Sequence, residues 1–106
     1  MENKNKQRLC GMIGFAMRAG KLVIGTELIC RAMPNGNIKL VAVAKDASAA
    51  TKKKLFAKSG FYSISAIEVD LDTDSLGDLI GKTYAPAAIA VTDEGFAREI
   101  KKATEV

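Results

Sequence analysis

The feature that most restricts this chain is an alternation. Short apolar runs at 22–24 (LVI), 38–44 (IKLVAVA), 64–69 (ISAIEV) and 87–91 (AAIAV) are separated by segments whose apolar residues recur at helical spacing. Strands interleaved with helices bury their sheet between helical layers, because each helix has its own apolar face to cover. The expected class is therefore α/β: a three-layer α/β/α sandwich around a small mixed sheet of about four strands, in one domain spanning residues 1–106. IKLVAVA has no polar residue after Lys39. That is the pattern of a strand covered on both faces, so it is expected near the centre of the sheet.

The helical segments carry their own boundaries. Residues 1–5 read as a frayed tail. From Lys6 to Arg18, Leu9, Cys10, Ile13, Ala16 and Met17 define one face. Gly11 and Gly14 weaken that helix by up to ~1 kcal/mol each relative to alanine, and are expected in return to admit a neighbouring element closely. Gly20 is a natural left-handed cap. A second helix opens at Gly25 or Thr26, with Glu27 in its first turn. Leu28, Ile29 and Ala32 form the expected buried stripe, Glu27 and Arg31 are exposed i,i+4 neighbours, and Pro34-Asn35-Gly36 stops it. A third is capped by Asp46 or Ser48 and runs to about Lys58, with Leu55 and Phe56 facing inward. A fourth covers Ser75–Ile80 after an acidic turn. Thr92 is expected to cap the last, with Asp93 and Glu94 in its first turn and Phe96, Ile100 and Ala103 on its inner face.

Ligands of such folds meet the loops at strand C-termini and the helix N-termini that follow. Three loops qualify: Ile24–Glu27, Lys45–Ser48 and Asp70–Leu76. In GTELICR, a helix N-terminus offers unsatisfied N–H groups to an anion, and Arg31 could reach a phosphate or a guanine edge. The segment lacks the GK[ST] ending of a Walker A loop, and an ordinary capped helix is the plainer reading. In VAKDASAATKKK, Lys52, Lys53 and Lys54 sit at the helix end that the dipole reserves for anions. Successive helical residues lie ~100° apart, so the three fan across roughly 200°: at least one flanks the core boundary and the others extend into solvent. They form either a solubilising face or a set of phosphate contacts, which Lys39, Lys45 and Lys58 would extend.

Charge is divided along the chain. Residues 1–60 hold 12 Lys/Arg against 3 Asp/Glu, a balance of +9, and residues 61–106 hold 4 against 9, a balance of −5. Unless the halves interleave, this gives one basic and one acidic surface, and the basic one suits an anionic partner, most simply a nucleic acid. A solvated surface of uneven charge is the alternative.

The composition also excludes chemistry. There is no histidine, which removes the usual general base, the Ser-His and Cys-His nucleophile pairs and most zinc sites. Cys10 and Cys30 lie inside apolar patterns and read as reduced core thiols. No cofactor, metal or enzymatic activity is expected. The polar N-terminus is unlike a signal peptide and no apolar run approaches a membrane span, so the expected location is the cytoplasm, without membrane contact. Three local motifs fall to plainer readings. GMIG (11–14) matches the GxxG of an RNA-clamping loop, but lies in a helical pattern. Asp46 ends a strand like a phosphoacceptor, yet the accompanying acidic pair and a fifth strand are missing. Asp70, Asp72 and Asp74 alternate as in a calcium loop without its glycine and terminal Glu, and read as a solvated turn.

GFAMRAGKLVIGTE, KLVAVAKDASAATKKKL, SLGDLIGK and AVTDEGFAREI, in this order, span Leu9 to Lys101. With them the chain resembles the kink-turn RNA-binding superfamily of ribosomal proteins, the L7Ae, L30e and S12e type, and most of all its small bacterial YlxQ-like branch. The resemblance implies an α/β/α sandwich that binds structured RNA, ribosomal or other, in some members on the ribosome. It implies contact through a Gly-x-Asn-Glu-x-x-Lys segment at a helix N-terminus and the loop before a Leu-Gly pair. Gly25 and Thr26 fit that segment, and Arg31 takes the place of its lysine. Glu27 and Leu28 stand where Asn and Glu are typical, and a carboxylate at Glu27 cannot donate to a base edge. The loop before Leu76-Gly77 is acidic here. The expected RNA surface is thus Gly25, Thr26, Glu27 and Arg31, with Lys21, Lys45, Lys52, Lys53 and Lys54 on phosphates. A protein-interaction module on the same scaffold, its acidic half meeting a basic partner, is the alternative.

Overall fold

In the computed structural model, which describes residues 2–81 and 85–104, the elements alternate as the apolar runs require. They are α1 (Glu2–Arg18), β1 (Leu22–Ile24), α2 (Thr26–Ala32) continued by a 3-10 turn (Met33–Asn35), β2 (Leu40–Ala44), α3 (Ala49–Phe61), β3 (Ser65–Val69), α4 (Thr73–Ile80), β4 (Ala88–Val91) and α5 (Glu94–Thr104). The strand order is β1-β4-β2-β3. β2 and β3 are parallel, from Leu40 opposite Ser65 to Ala44 opposite Val69, while β4 is antiparallel to both β1 and β2.

Every residue of β2 and of β4 is buried, and the two-residue period of a strand divides them between two cores. Leu40, Ala42, Ala44, Ile89 and Val91 face Leu9 and Ile13 of α1, Leu76 and Ile80 of α4, and Ile100 of α5. Val41, Val43, Ala88 and Ala90 face Ile29 of α2, Met33 and Leu55 of α3. The sheet is therefore the middle of three layers, with α1, α4 and α5 on one side and α2 and α3 on the other. Burying a side chain such as Leu55 contributes about 1.5–3 kcal/mol.

Several local expectations are corrected. α1 begins at Glu2, ahead of the expected start at Lys6; Met1 and Lys82, the latter in the SLGDLIGK motif, lie outside the described residues. Neither Gly11 nor Gly14 is needed for a close approach on its Cβ side: a Cβ built at Gly11 meets nothing within 4 Å, and one at Gly14 meets only the Arg18 guanidinium at 3.6 Å. Leu55 is fully buried but Phe56 is 39% exposed, because neighbours ~100° apart cannot both face a flat sheet. Leu28 leaves the expected stripe of α2 and is 54% exposed. Thr92 does not cap α5: its hydroxyl donates to the Lys21 carbonyl, and the Asp93 carboxylate accepts from Phe96 N–H at 2.9 Å instead. Cys10 packs beside one core and Cys30 beside the other, with the sheet between them, and both are free thiols. Burial pushes the Cys10 thiol pKa up.

Candidate functional site

Because β4 is antiparallel to both β1 and β2, the strands β1, β2 and β3 all point the same way. Their C-terminal loops, Ile24–Glu27, Lys45–Ser48 and Asp70–Leu76, consequently share one edge of the sheet. The hydrogen bonds of Gly25 N–H to Ala88 (3.1 Å) and Ala44 N–H to Ala87 (2.8 Å) tie that edge together. With strands ~4.8 Å apart, Gly25 stands about 10 Å from Lys45.

Gly25 is the N-cap of α2, with φ 98° and ψ 143°. L-residues rarely adopt that conformation, and it lets the Gly25 carbonyl accept from Ile29 N–H at 3.0 Å while the chain turns out of β1. No side chain caps the first turn, and a Cβ at Gly25 would meet nothing within 4 Å, so the helix end is open to the outside. Glu27 and Arg31 are exposed at opposite ends of α2, each at the end its charge favours. They do not pair with each other. The exposed Leu28 lies between them.

The three lysines separate as their fan requires, but by a route local spacing does not reveal. Lys52 turns back onto the sheet edge: its Nζ donates to the Lys45 carbonyl at 2.7 Å and pairs with Glu68 at 3.1 Å. Lys53 and Lys54 extend into solvent with no ion pair among the described residues. Lys45 is also engaged, with Asp70 at 3.0 Å. The hydrogen bond from Lys45 is the main cause of a lowered Asp70 pKa, and the same bond raises the pKa of Lys45. Of the expected phosphate lysines at this edge, Lys53 and Lys54 are free to meet a ligand, whereas Lys45 and Lys52 already hold carboxylates. Lys21 is not at this edge at all. It precedes β1, and its carbonyl accepts from Thr92 N–H at 2.9 Å at the opposite end of the sheet.

The acidic loop is more than a solvated turn. Asp46 does not cap α3, which Ser48 does by accepting from Thr51 N–H at 3.1 Å. Asp46 reaches across to α4, accepting from Thr73 N–H at 2.9 Å and from its hydroxyl at 3.3 Å. Asp72 accepts from Ser75 N–H at 2.8 Å, and this contact is the main reason its pKa is lowered. The two loops are thus linked by Lys45–Asp70 in one direction and Asp46–Thr73 in the other. Sequence reasoning missed both links, because each joins residues more than twenty positions apart.

The ion pairs among the described residues, Arg8–Glu99, Lys45–Asp70 and Lys52–Glu68, each join a residue before position 61 to one after it. The basic and acidic halves therefore meet at these pairs, while the layer of α2 and α3 draws its charges from the basic half alone. GMIG lies wholly inside α1, away from any loop. Among the described residues, no group of three or more His, Cys, Asp and Glu side chains could hold a metal ion, and no helix is long and apolar enough to cross a membrane.

Comparison with known proteins adds four relations. The sequence model of the Ribosomal protein L7Ae/L30e/S12e/Gadd45 family matches residues 7–101. The RNA-binding protein YlxQ of Enterococcus faecium is 38% identical over 105 residues, 99% of each chain. Among solved structures, a Bacillus halodurans protein of unknown function superposes with a TM-score of 0.87 at 35% identity, covering 93% of this chain and 98% of that one. The Giardia lamblia 15.5kD RNA binding protein superposes with a TM-score of 0.79 over 95% of this chain and 85% of that one, and at 11% identity it speaks for the shared fold alone.

Proposed function

The chain belongs to the Ribosomal protein L7Ae/L30e/S12e/Gadd45 family, and from that premise we propose that it is a non-enzymatic RNA-binding protein directed at structured, kink-turn-like RNA, ribosomal or other. The observation that carries this reading is the end-to-end match to a bacterial relative named for RNA binding. The geometry supports it through the uncapped α2 end at Gly25 and the unpaired Lys53 and Lys54 on α3, which share a layer of the fold.

In this reading Gly25 and Thr26 bring backbone against the RNA, and Arg31 contributes a planar fork for a guanine edge or a phosphate. Lys53 and Lys54 set affinity and salt dependence. Lys45 and Lys52 act mainly by fixing the β3 side of the edge. Glu27 replaces an amide that can donate by a carboxylate that only accepts, and Leu28 replaces a carboxylate by an exposed apolar side chain, which alters the specificity relative to family members with Asn and Glu there. The protein-interaction alternative has less support, since Glu68 and Asp70 are engaged by the chain's own lysines.

A gel-shift assay against a kink-turn RNA and a plain duplex tests the reading; binding to neither at low salt refutes it. Lys53→Glu with Lys54→Glu is expected to weaken all RNAs alike and to flatten the log–log salt slope by up to about 0.9 per lost phosphate contact. Arg31→Ala is expected to erode the preference among RNAs instead. An unchanged slope in the double variant would reduce those lysines to a solvated face.

A further inference from the structure

The end of the sheet away from Gly25 carries a basic cluster that the proposed RNA surface does not use. Lys39 precedes β2, Ser65 opens β3, and Glu94, Arg98 and Lys101 follow one another along one side of α5; with Leu40 beneath them they line an open cavity of about 240 Å³. Three cations and one carboxylate face this space. Among the described residues, none of Lys39, Arg98 and Lys101 has a carboxylate within ion-pair distance, Glu94 included, whereas Arg8, Lys45 and Lys52 each hold one. Like charges gathered around a concavity focus a positive potential into it, and an anion there relieves their repulsion.

We propose that this cavity binds a phosphate group. Its size is below the roughly 300–1,000 Å³ of pockets for organic ligands, which suits a compact oxyanion. Arg98 offers a planar fork that matches phosphate oxygens in pairs, Lys39 and Lys101 add point charges, and the Ser65 hydroxyl supplies a neutral donor. Glu94 is the one carboxylate at the cavity, and the three cations outnumber it. The phosphate comes either from an RNA backbone or from a free phosphate compound. The site stands at the other end of β2 from Lys45, so the proposal does not rest on the RNA surface described above and can fail without it.

The test is an amide NMR titration of the full chain with sodium phosphate, against sodium chloride at equal ionic strength and pH. Phosphate is expected to give saturable shifts at Lys39, Leu40, Ser65, Arg98 and Lys101 that chloride does not, and Lys39→Gln with Arg98→Gln is expected to abolish them. All these charged side chains are exposed, and the variant's own spectrum reports whether it is folded; the wild-type titration decides the question in either case. Equal shifts with chloride, or phosphate shifts centred on Lys53 and Lys54, overturn the proposal. A second titration with a kink-turn RNA separates the sources. Shifts at the same amides, with a salt slope lowered by about 0.9 per phosphate in the double variant, support an RNA phosphate. Silence toward RNA with saturation by inorganic phosphate supports a free phosphate compound.

Discussion

Gly11→Ala and Gly25→Ala are the same chemical change, and the structure gives them opposite signs. In the unfolded chain each removes a similar amount of backbone freedom, which favours folding by about 0.4–1 kcal/mol where the native conformation is compatible. Gly11 lies inside α1, and a Cβ there meets nothing within 4 Å. Alanine should therefore recover the helix penalty and stabilise by about 0.5–1 kcal/mol. Gly25 has equal room, again with nothing within 4 Å, but its φ of 98° and ψ of 143° lie where an L-residue is strained. That strain costs of order 1–3 kcal/mol. After the unfolded-state gain, Gly25→Ala is expected to destabilise by roughly 1–2 kcal/mol, leaving the two variants about 2–3 kcal/mol apart. Urea unfolding followed by far-UV circular dichroism measures this. With an m-value of about 1–2 kcal/mol/M the midpoints should separate by more than about 1 M at unchanged slope. Shifts of the same sign would refute the reasoning, because no contact difference at the added Cβ could account for them.

Two further outcomes follow from burial and charge. Leu55→Ala is expected to cost about 2–5 kcal/mol and Phe56→Ala less than about 1 kcal/mol in the same urea assay, and the reverse ranking would show that α3 presents its other face. Asp70, Asp72 and Glu99 have pKa values below the ordinary carboxylate range, held down by Lys45, by Ser75 N–H and by Arg8 respectively. The native state thus binds fewer protons than the unfolded state, so their contribution is full above the ordinary carboxylate pKa and is lost as pH falls through the lowered native values. Lys45, with a raised pKa, keeps its contribution below the ordinary lysine range and loses it only as pH rises through the raised value. Urea midpoints measured from pH 2.5 to 7 should show this acid limb. Asp72→Asn, which can still accept from Ser75 N–H, should flatten it, and an unaltered limb would exclude Asp72 as a contributor.

What the sequence disclosed was what local spacing encodes. The unbroken apolar stretch Leu40–Ala44 is buried throughout, as a strand covered on both faces must be. Of the two caps the sequence offers for α3, Asp46 and Ser48, it is Ser48 that serves. Failures came where one residue decides. Leu55 and Phe56, or Ile29 and Leu28, are equally apolar neighbours, and only the exact rotation of the helix on the sheet selects the one that is buried. Thr92 and Asp93 compete for one cap, and Thr92 is diverted by the Lys21 carbonyl on a distant segment. At the candidate site, the loops and Gly25 were legible because strand ends and glycines leave local marks. The commitment of Lys45 and Lys52 to Asp70 and Glu68 was not, since it depends on the parallel pairing of β2 with β3.

The ion pairs between the two halves bear on the chain before it folds. A basic first half joined to an acidic second half attracts itself across its whole length, without any contact yet being specific. The closure that brings α1 beside α5, where Arg8 meets Glu99, spans most of the sequence and carries the entropy of a long loop. Coulomb attraction between the blocks opposes that entropy over the Debye length, about 10 Å at 0.1 M salt. The division of charge thus acts as a weak, salt-sensitive guide for the search, biasing encounters toward the distant partners that the native sheet then pairs.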